Sequence, residues 1–265
     1  MTNFWQRTVS GVFIVGVIVA ASWGGYYSGL ALLSMIGAIG LDELLKMGEP
    51  ESRKNKLRWI GAFHSTIFLL GLWLKFETNW LSLLTIQLVI ASIGCVLTFQ
   101  EHSFKELSKL FFGWIWIWLP VFLAKDILED FLLRFPMILL LVFIGLWTSD
   151  SGAYLVGKSI GKHKMIPHVS PNKTWEGTVG GMLLAAMMVS IFAHYFVSMD
   201  WIKGAVLGGI ISFFGTFGDL IQSVVKRTFG VKDSGNLIPG HGGILDRFDS
   251  FLLAIPAVWL ALSLF

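Results

Sequence analysis

The sequence predicts an all-α, polytopic integral membrane bundle of about nine transmembrane helices. Three observations predict it. First, 55% of the 265 residues are hydrophobic and only 14% are charged, whereas soluble domains carry about a quarter charged residues. So few charges cannot cover a water-facing surface. Second, the apolar residues run in long blocks, not in ten-residue alternations, which selects helices over a membrane β-barrel. Third, twelve Trp and twenty-two Phe suit lipid contact and interfacial anchoring.

The blocks justify the spans in order. A spanning helix needs about 20 mostly apolar residues, and the candidates are 8–22, 26–46, 57–74, 80–99, 110–124, 136–158, 175–198, 201–225 and 244–264. Arg7 before the first block, and Ala20-Ala21-Ser22 near its end, mimic a cleaved leader. Further apolar blocks follow at once, so an uncleaved first span is expected. A single transmembrane domain over 1–265 follows, with spans in 1–135 as scaffold and 136–265 carrying the chemical motifs. Gly177/Gly181 and Gly204/Gly208 have the small-xxx-small spacing of closely packed helices. The lone Cys95 excludes an internal disulfide and a thiolate metal cluster, and reads as a small buried side chain.

Charge sets the orientation. With the N-terminus inside, sixteen of the twenty Lys and Arg fall on the inner side and four, Lys75, Lys125, Arg134 and Lys203, on the outer side. That bias supports nine spans and a cytoplasmic N-terminus. The Asn172-Lys173-Thr174 sequon then faces the cytoplasm and should carry no glycan. The basic loop 47–58 is explained by attraction to anionic headgroups.

Chemistry concentrates in Ser223–Asp249, SVVKRTFGVKDSGNLIPGHGGILDRFD. Here Lys226, Arg227, Lys232, Arg247 and His241 alternate with Asp233, Asp246 and Asp249 and with glycines, a mixture that suits a magnesium–phosphate site at a membrane surface. Asp219 lies inside an apolar span, where an unpartnered charge is costly. Helical spacing puts Asp219, Gln222, Ser223 and Lys226 on one face. A metal ligand leading to a phosphate-binding Lys is the preferred reading, and a buried Asp219–Lys226 pair is the alternative.

Gly242 and Gly243 permit close approach of backbone N–H groups to an anion at the start of the last helix. Asp246 and Asp249 are one turn apart. Asp219 and Asp246 form the leading pair of magnesium ligands, with Asp249 third, since magnesium takes one or two carboxylates plus phosphate oxygens. Helix-dipole stabilisation with pairing to Arg247 is the alternative for Asp246 and Asp249. Lys226, Arg227, Lys232 and Arg247 are candidate phosphate clamps. His241 is either an acid or phosphate donor, or a hydrogen-bonded structural residue.

Two upstream pieces contribute. In SPNKTWEG, Thr174 can cap the next helix and Lys173 lies at its N-terminus, with Glu176 in the first turn. In SDSGAYLVGK, Asp150, Tyr154 and Lys158 share a face, as a substrate contact or as a structural network. GKSIGK lacks P-loop spacing. Asp42 and Glu43 end the second span and either cap, pair or line the site. His64, His194, His163 and His168 lack ligand spacing.

These residues resemble the phosphatidate cytidylyltransferase, or CDP-diacylglycerol synthase, family. Its C-terminal signature, Ser-x-φ-Lys-Arg-x4-Lys-Asp-x-small-x2-φ-Pro-x-His-Gly-Gly-φ-x-Asp-Arg-φ-Asp with φ apolar, matches at every fixed position from Ser223 to Asp249, and the elements at Ser149–Lys158 and Ser170–Gly177 match too. The first 140 residues are similar only in hydropathy. The resemblance implies that CTP and phosphatidate give CDP-diacylglycerol and pyrophosphate with magnesium, the number of cations left open. It implies a homodimer in the inner membrane, with membrane lipid but no nucleic acid as partner. A CTP-dependent lipid-alcohol kinase, a prenyl-phosphate cytidylyltransferase and a secondary transporter using Asp150 and Asp219 are the rival readings.

Overall fold

The computed structural model describes residues 3–74, 80–97, 103–130 and 137–265. Lys75 and Arg134 of the expected outer set, and the span ends 98–99 and 136, lie outside the described residues. Helices α1 (Asn3–Trp23), α2 (Tyr26–Lys46), α3 (Glu51–Trp73) and α4 (Trp80–Leu97) come first. Next α5 (Ser103–Gly113) runs through a π-helical turn, Trp114–Trp118, into α6 (Leu119–Asp130). Then follow α7 (Ile138–Ile160), α8 (Trp175–Val197), α9 (Trp201–Thr228) and α10 (Leu245–Leu264). With α5 to α6 taken as one rod, the described residues form nine helices, as expected. Seven are long and apolar enough to cross a membrane, so the chain is an integral membrane protein.

Three local expectations change. The basic stretch 47–58 is not a loop through most of its length, because α3 already begins at Glu51. The Lys54–Glu51 ion pair at 2.8 Å, one turn apart, suits helical geometry there, and Arg53 reaches back to Glu49 ahead of the helix at 3.0 Å. The span 110–124 extends to the rod from Ser103 to Asp130. The loop 158–174 contains a small antiparallel hairpin, β1 (Lys164–Ile166) and β2 (Ser170–Thr174), inside an otherwise all-α fold. Thr174 then caps α8 as expected, its hydroxyl accepting from the Gly177 N–H at 3.2 Å.

Small residues draw the C-terminal helices together. A Cβ at Gly208 would stand 2.5 Å from the Ala185 carbonyl oxygen, and one at Gly181 would stand 2.5 Å from that of Ser149. α7, α8 and α9 therefore approach backbone to backbone, as the small-xxx-small spacing predicts. Gly218 brings α9 onto α10 in the same way, with the Asp249 carbonyl 2.6 Å from its missing Cβ. In the N-terminal part, Gly37 of α2 makes room for the fully buried Trp118 indole.

The helix ends that the charge pattern assigns to one side do meet. Ser10 near the start of α1 donates to the Pro239 carbonyl at 3.1 Å. Lys109 of α5 donates to the carbonyls of Leu45 and Met47 at the end of α2, at 3.2 and 2.8 Å. It also pairs with Glu49 at 2.8 Å and lies over the Phe229 ring at the end of α9. Burial pushes the Glu49 carboxyl up, but hydrogen bonds from Lys109 and Lys105 outweigh it and hold the group below its usual range. At the opposite ends Tyr26 donates to Glu129 at 2.7 Å, and Lys203 to the Phe265 carbonyl at 2.6 Å.

Close packing at Gly208 makes a paired test. Gly208→Ala forces backbone apart, at a cost of about 1–3 kcal/mol for overpacking, and should lower the thermal midpoint in detergent. Gly209→Ala meets only Met182 Cγ at 4.0 Å, gains helix propensity, and should leave the midpoint unchanged or raise it.

Candidate active site

A polar cleft lies between α7, the hairpin, the start of α8 and α9. Lys173 on β2 reaches across to α9. Its ammonium pairs with Asp219 at 2.7 Å and donates to the Thr216 carbonyl at 3.2 Å. Ser223, one turn on, donates weakly to Asp219 at 3.4 Å. Asp150, Tyr154, Lys173, Thr174 and Thr216 line a cavity of about 180 Å³ at this point. Residues far apart in sequence are thus brought together, but the alternative pair is not formed. Asp219 joins Lys173, and Lys226 joins Asp246.

Asp246 is engaged on both oxygens. Its Oδ1 holds the Lys226 ammonium at 2.7 Å. Its Oδ2 accepts from the Ser234 N–H at 2.8 Å and the Gly243 N–H at 2.9 Å, and lies 3.0 Å from the Ser234 hydroxyl, whose single proton it shares with Glu43. The side chain is only 4% exposed. Every bond that fixes Asp246 also withdraws it from an open metal-ligand position. The helix-terminal alternative describes it better, with Lys226 and not Arg247 as its partner.

The expected anion site at the start of α10 is filled from within. Ile244 and Leu245 donate their N–H groups to the Glu43 carboxylate of α2 at 2.8 and 3.0 Å, and the Ser234 hydroxyl donates to it at 2.8 Å. Gly243 and Gly235 are glycines because a Cβ at either would strike the Glu43 carboxylate. Gly242, at φ 84°, adopts a backbone that side chains disfavour, and its missing Cβ would stand 2.5 Å from Asp246 Oδ2. The glycines therefore admit two of the protein's own carboxylates, where a substrate phosphate was expected.

Asp249 is buried, and its Oδ1 accepts from the Ser250 N–H at 2.7 Å. It lies within electrostatic reach of both Asp219 and Asp150, so three acids from α7, α9 and α10 repel one another in one region. Among the described residues no three His, Cys, Asp or Glu side chains are placed to enclose a metal ion by themselves. The donor chemistry does fit magnesium, which keeps waters and phosphate oxygens beside one or two carboxylates. Asp219 is 33% exposed, Asp246 and Asp249 are both buried, and Asp246 has both oxygens engaged.

The remaining cations face outward. Arg247, Lys232 and Arg227 are exposed, and Arg227 donates to the Val231 carbonyl at 3.1 Å. Asp233 is exposed beside Lys232. Tyr154 is exposed, with Lys158 5.8 Å from its ring centre. Glu176 accepts from the Lys162 and His163 N–H groups at 3.1 and 3.2 Å, and from the His163 ring at 2.5 Å, so it anchors the entry to the hairpin. The His241 ring lies 2.7 Å from the Ser10 hydroxyl. Burial first, then the Arg247 and Arg7 charges, hold its imidazole below the usual range.

Two parts of the site were weakly signalled in the sequence. Glu43 was one of several acids at a span end, and nothing local shows a cap reaching a helix about 200 residues later. The π-turn turns Trp116 toward α9, where its N–H donates to Gln222 at 3.1 Å. Gln222 is wholly buried against Trp116, on the same continuous helix as Asp219. No sequence period announces a π-turn.

The sequence profile described as the Cytidylyltransferase family matches residues 5–265. A Bacillus subtilis protein named phosphatidate cytidylyltransferase is 33% identical over 282 residues, covering 100% of both chains. Proteins of the same name from Staphylococcus aureus strain COL and Staphylococcus saprophyticus are 52% identical over 120 residues and 48% over 121, each covering 44% of this chain and 46% of theirs.

His241 gives a pH test. Its folded pKa lies below the unfolded value of about 6.5, so the unfolded chain takes the proton first as pH falls. The stability it contributes is full above that value and is lost as pH drops through it toward the folded pKa. The wild-type thermal midpoint should fall more between about pH 7.5 and about pH 5.5 than that of His241→Gln. Parallel curves would refute the placement of this ring.

Proposed function

The chain belongs to the cytidylyltransferase family, and from that premise we infer that it transfers a cytidylyl group from CTP to phosphatidate, giving CDP-diacylglycerol and pyrophosphate. The observation that carries the reading is the 2.7 Å pair between Lys173 and Asp219. It joins the hairpin motif to α9, the helix that leads into the C-terminal signature, in one cleft where an anionic lipid head and a triphosphate need to meet.

The obstacle to the reaction is repulsion between anions, so catalysis is mainly positioning and charge neutralisation. A phosphatidate oxygen attacks the α-phosphorus of CTP. The new P–O bond forms as the bond to the bridging oxygen breaks, and pyrophosphate departs with the electron pair. The nucleophile is already ionised, so no general base is needed and no covalent enzyme intermediate forms. Arg247, Lys232 and Arg227, exposed around the loop, bind phosphate oxygens, with the Arg side chains able to do so through two bonds. Lys173 and Lys226 are held at the cleft by Asp219 and Asp246, so their ammonium groups are aimed before substrate arrives. Asp219 and Asp249 would hold magnesium. When bound, magnesium supplies charge neutralisation of the triphosphate and of the leaving group.

A cytoplasmic-facing site in the inner membrane and a homodimer complete the proposal. The Lys and Arg distribution supports the first, and the family resemblance supports the second. Acyl chains remain in the bilayer beside the helices.

Purified protein incubated with radiolabelled CTP, phosphatidate and magnesium should yield a labelled lipid and free pyrophosphate. Release of CDP in place of pyrophosphate would identify terminal-phosphate transfer and overturn the reading. Asp219→Asn and Asp249→Asn should each lower kcat by about 10²–10³-fold with the thermal midpoint kept. Asp246→Asn should lower both kcat and the midpoint, because Lys226, Ser234 and the start of α10 lose their common partner. Lys226→Ala should raise the KM for CTP more than that for phosphatidate.

A further inference from the structure

We propose that Glu43 is a positioning residue for this reaction: from α2, outside every recognised motif, it sets the geometry of the catalytic loop. The proposal rests on the cytidylyl-transfer reading above and adds a component to it. Glu43 is 7% exposed, and its carboxylate accepts three hydrogen bonds, from the Ser234 hydroxyl and from the Ile244 and Leu245 N–H groups. Those donors bracket the segment that carries His241, Gly242 and Gly243.

The need for such a group follows from helix chemistry. The first N–H groups of a helix have no partner within it, and the residue at the N-cap of α10 is Ile244, whose side chain cannot accept. A carboxylate from elsewhere supplies the cap and the negative charge that a helix N-terminus favours. Gly235 and Gly243 keep the space it occupies. With these partners Glu43 faces backbone and Ser234, so it does not act as a substrate ligand.

Its effect reaches the cleft through Ser234. That hydroxyl lies 2.8 Å from Glu43 and 3.0 Å from Asp246, and Asp246 in turn holds Lys226 at 2.7 Å. The order Glu43, Ser234, Asp246, Lys226 links the N-terminal half to a cation at the reacting phosphates. Glu43→Gln keeps the size but loses the charge and half of the accepting capacity, and its amide N–H₂ opposes other donors. The loop then relaxes, and Lys226 loses its fixed aim. Misplacement of about 1 Å costs about 100-fold in rate.

The test combines kinetics with hydrogen exchange in purified full-length protein. Glu43→Gln should lower kcat about 10–100-fold while each KM changes less than about threefold, and Glu43→Asp, which keeps the charge but is one methylene short, should recover part of the loss. Ser234→Ala combined with Glu43→Gln should cost less than the product of the single effects. Amide protection at Ser234, Ile244 and Leu245 should fall in Glu43→Gln. A lower thermal midpoint with wild-type kcat would mean that Glu43 only stabilises the fold, and would overturn the proposal. Multiplicative rate effects, or unchanged amide protection, would overturn it too. If Glu43→Gln elutes as aggregate in gel filtration, Glu43→Asp carries the same readouts. Exchange is measured without substrate, so wild-type protein inactive on CTP and phosphatidate would refute the functional reading while the loop measurement still tests the lock.

Discussion

Two carboxylates, Glu43 and Asp246, fill the N-terminus of α10, and the neighbouring loop takes its shape around them. Between them they satisfy the N–H groups of Ser234, Gly243, Ile244 and Leu245. Burying two acids side by side is tolerable because each is met by backbone donors and Asp246 also by Lys226. Removing one partner from such a set leaves a buried charge uncompensated, which is much worse than never having placed it. The loop's glycines follow as a consequence, since any side chain at Gly243 would occupy carboxylate space.

The same constraint ties the two halves of the chain. The C-terminal helices approach closely through Gly181, Gly208 and Gly218, which gives the cleft rigid walls. The N-terminal helices look like scaffold by sequence, yet α2 sends Glu43 into the loop, and α1 sends Ser10 to His241. Lys109 fastens the end of α2 by donating to its last carbonyls. The division into a scaffold half and a catalytic half is therefore a statement about motifs, not about mechanics.

What the sequence made legible was what depends on composition and short spacing. Span positions, the cap at Thr174 and the close packing at Gly177/Gly181 and Gly204/Gly208 all follow from local pattern. The cast of the cleft was legible too, because ionisable residues are scarce enough in this chain to stand out. The pairings were not. Asp219 chose Lys173 over Lys226, and Asp246 turned inward to the loop, because those choices depend on how α7 to α10 are arranged and not on helical periodicity. The hairpin and the π-turn escaped for a different reason. Both are short, and the energy that holds them lies in tertiary contacts such as Glu176 with His163 and Trp116 with Gln222.

The Lys173–Asp219 bridge has a consequence for selectivity. At rest the Lys173 ammonium is already met by the Asp219 carboxylate at 2.7 Å. A zwitterionic or singly charged headgroup drifting past gains little by prising them apart, since it offers no more charge than the aspartate already does. A polyphosphate offers several negative charges at once and can outbid the resident acid. The bridge would thus work as a valency filter, keeping ordinary bilayer lipids from lodging where the nucleotide has to bind.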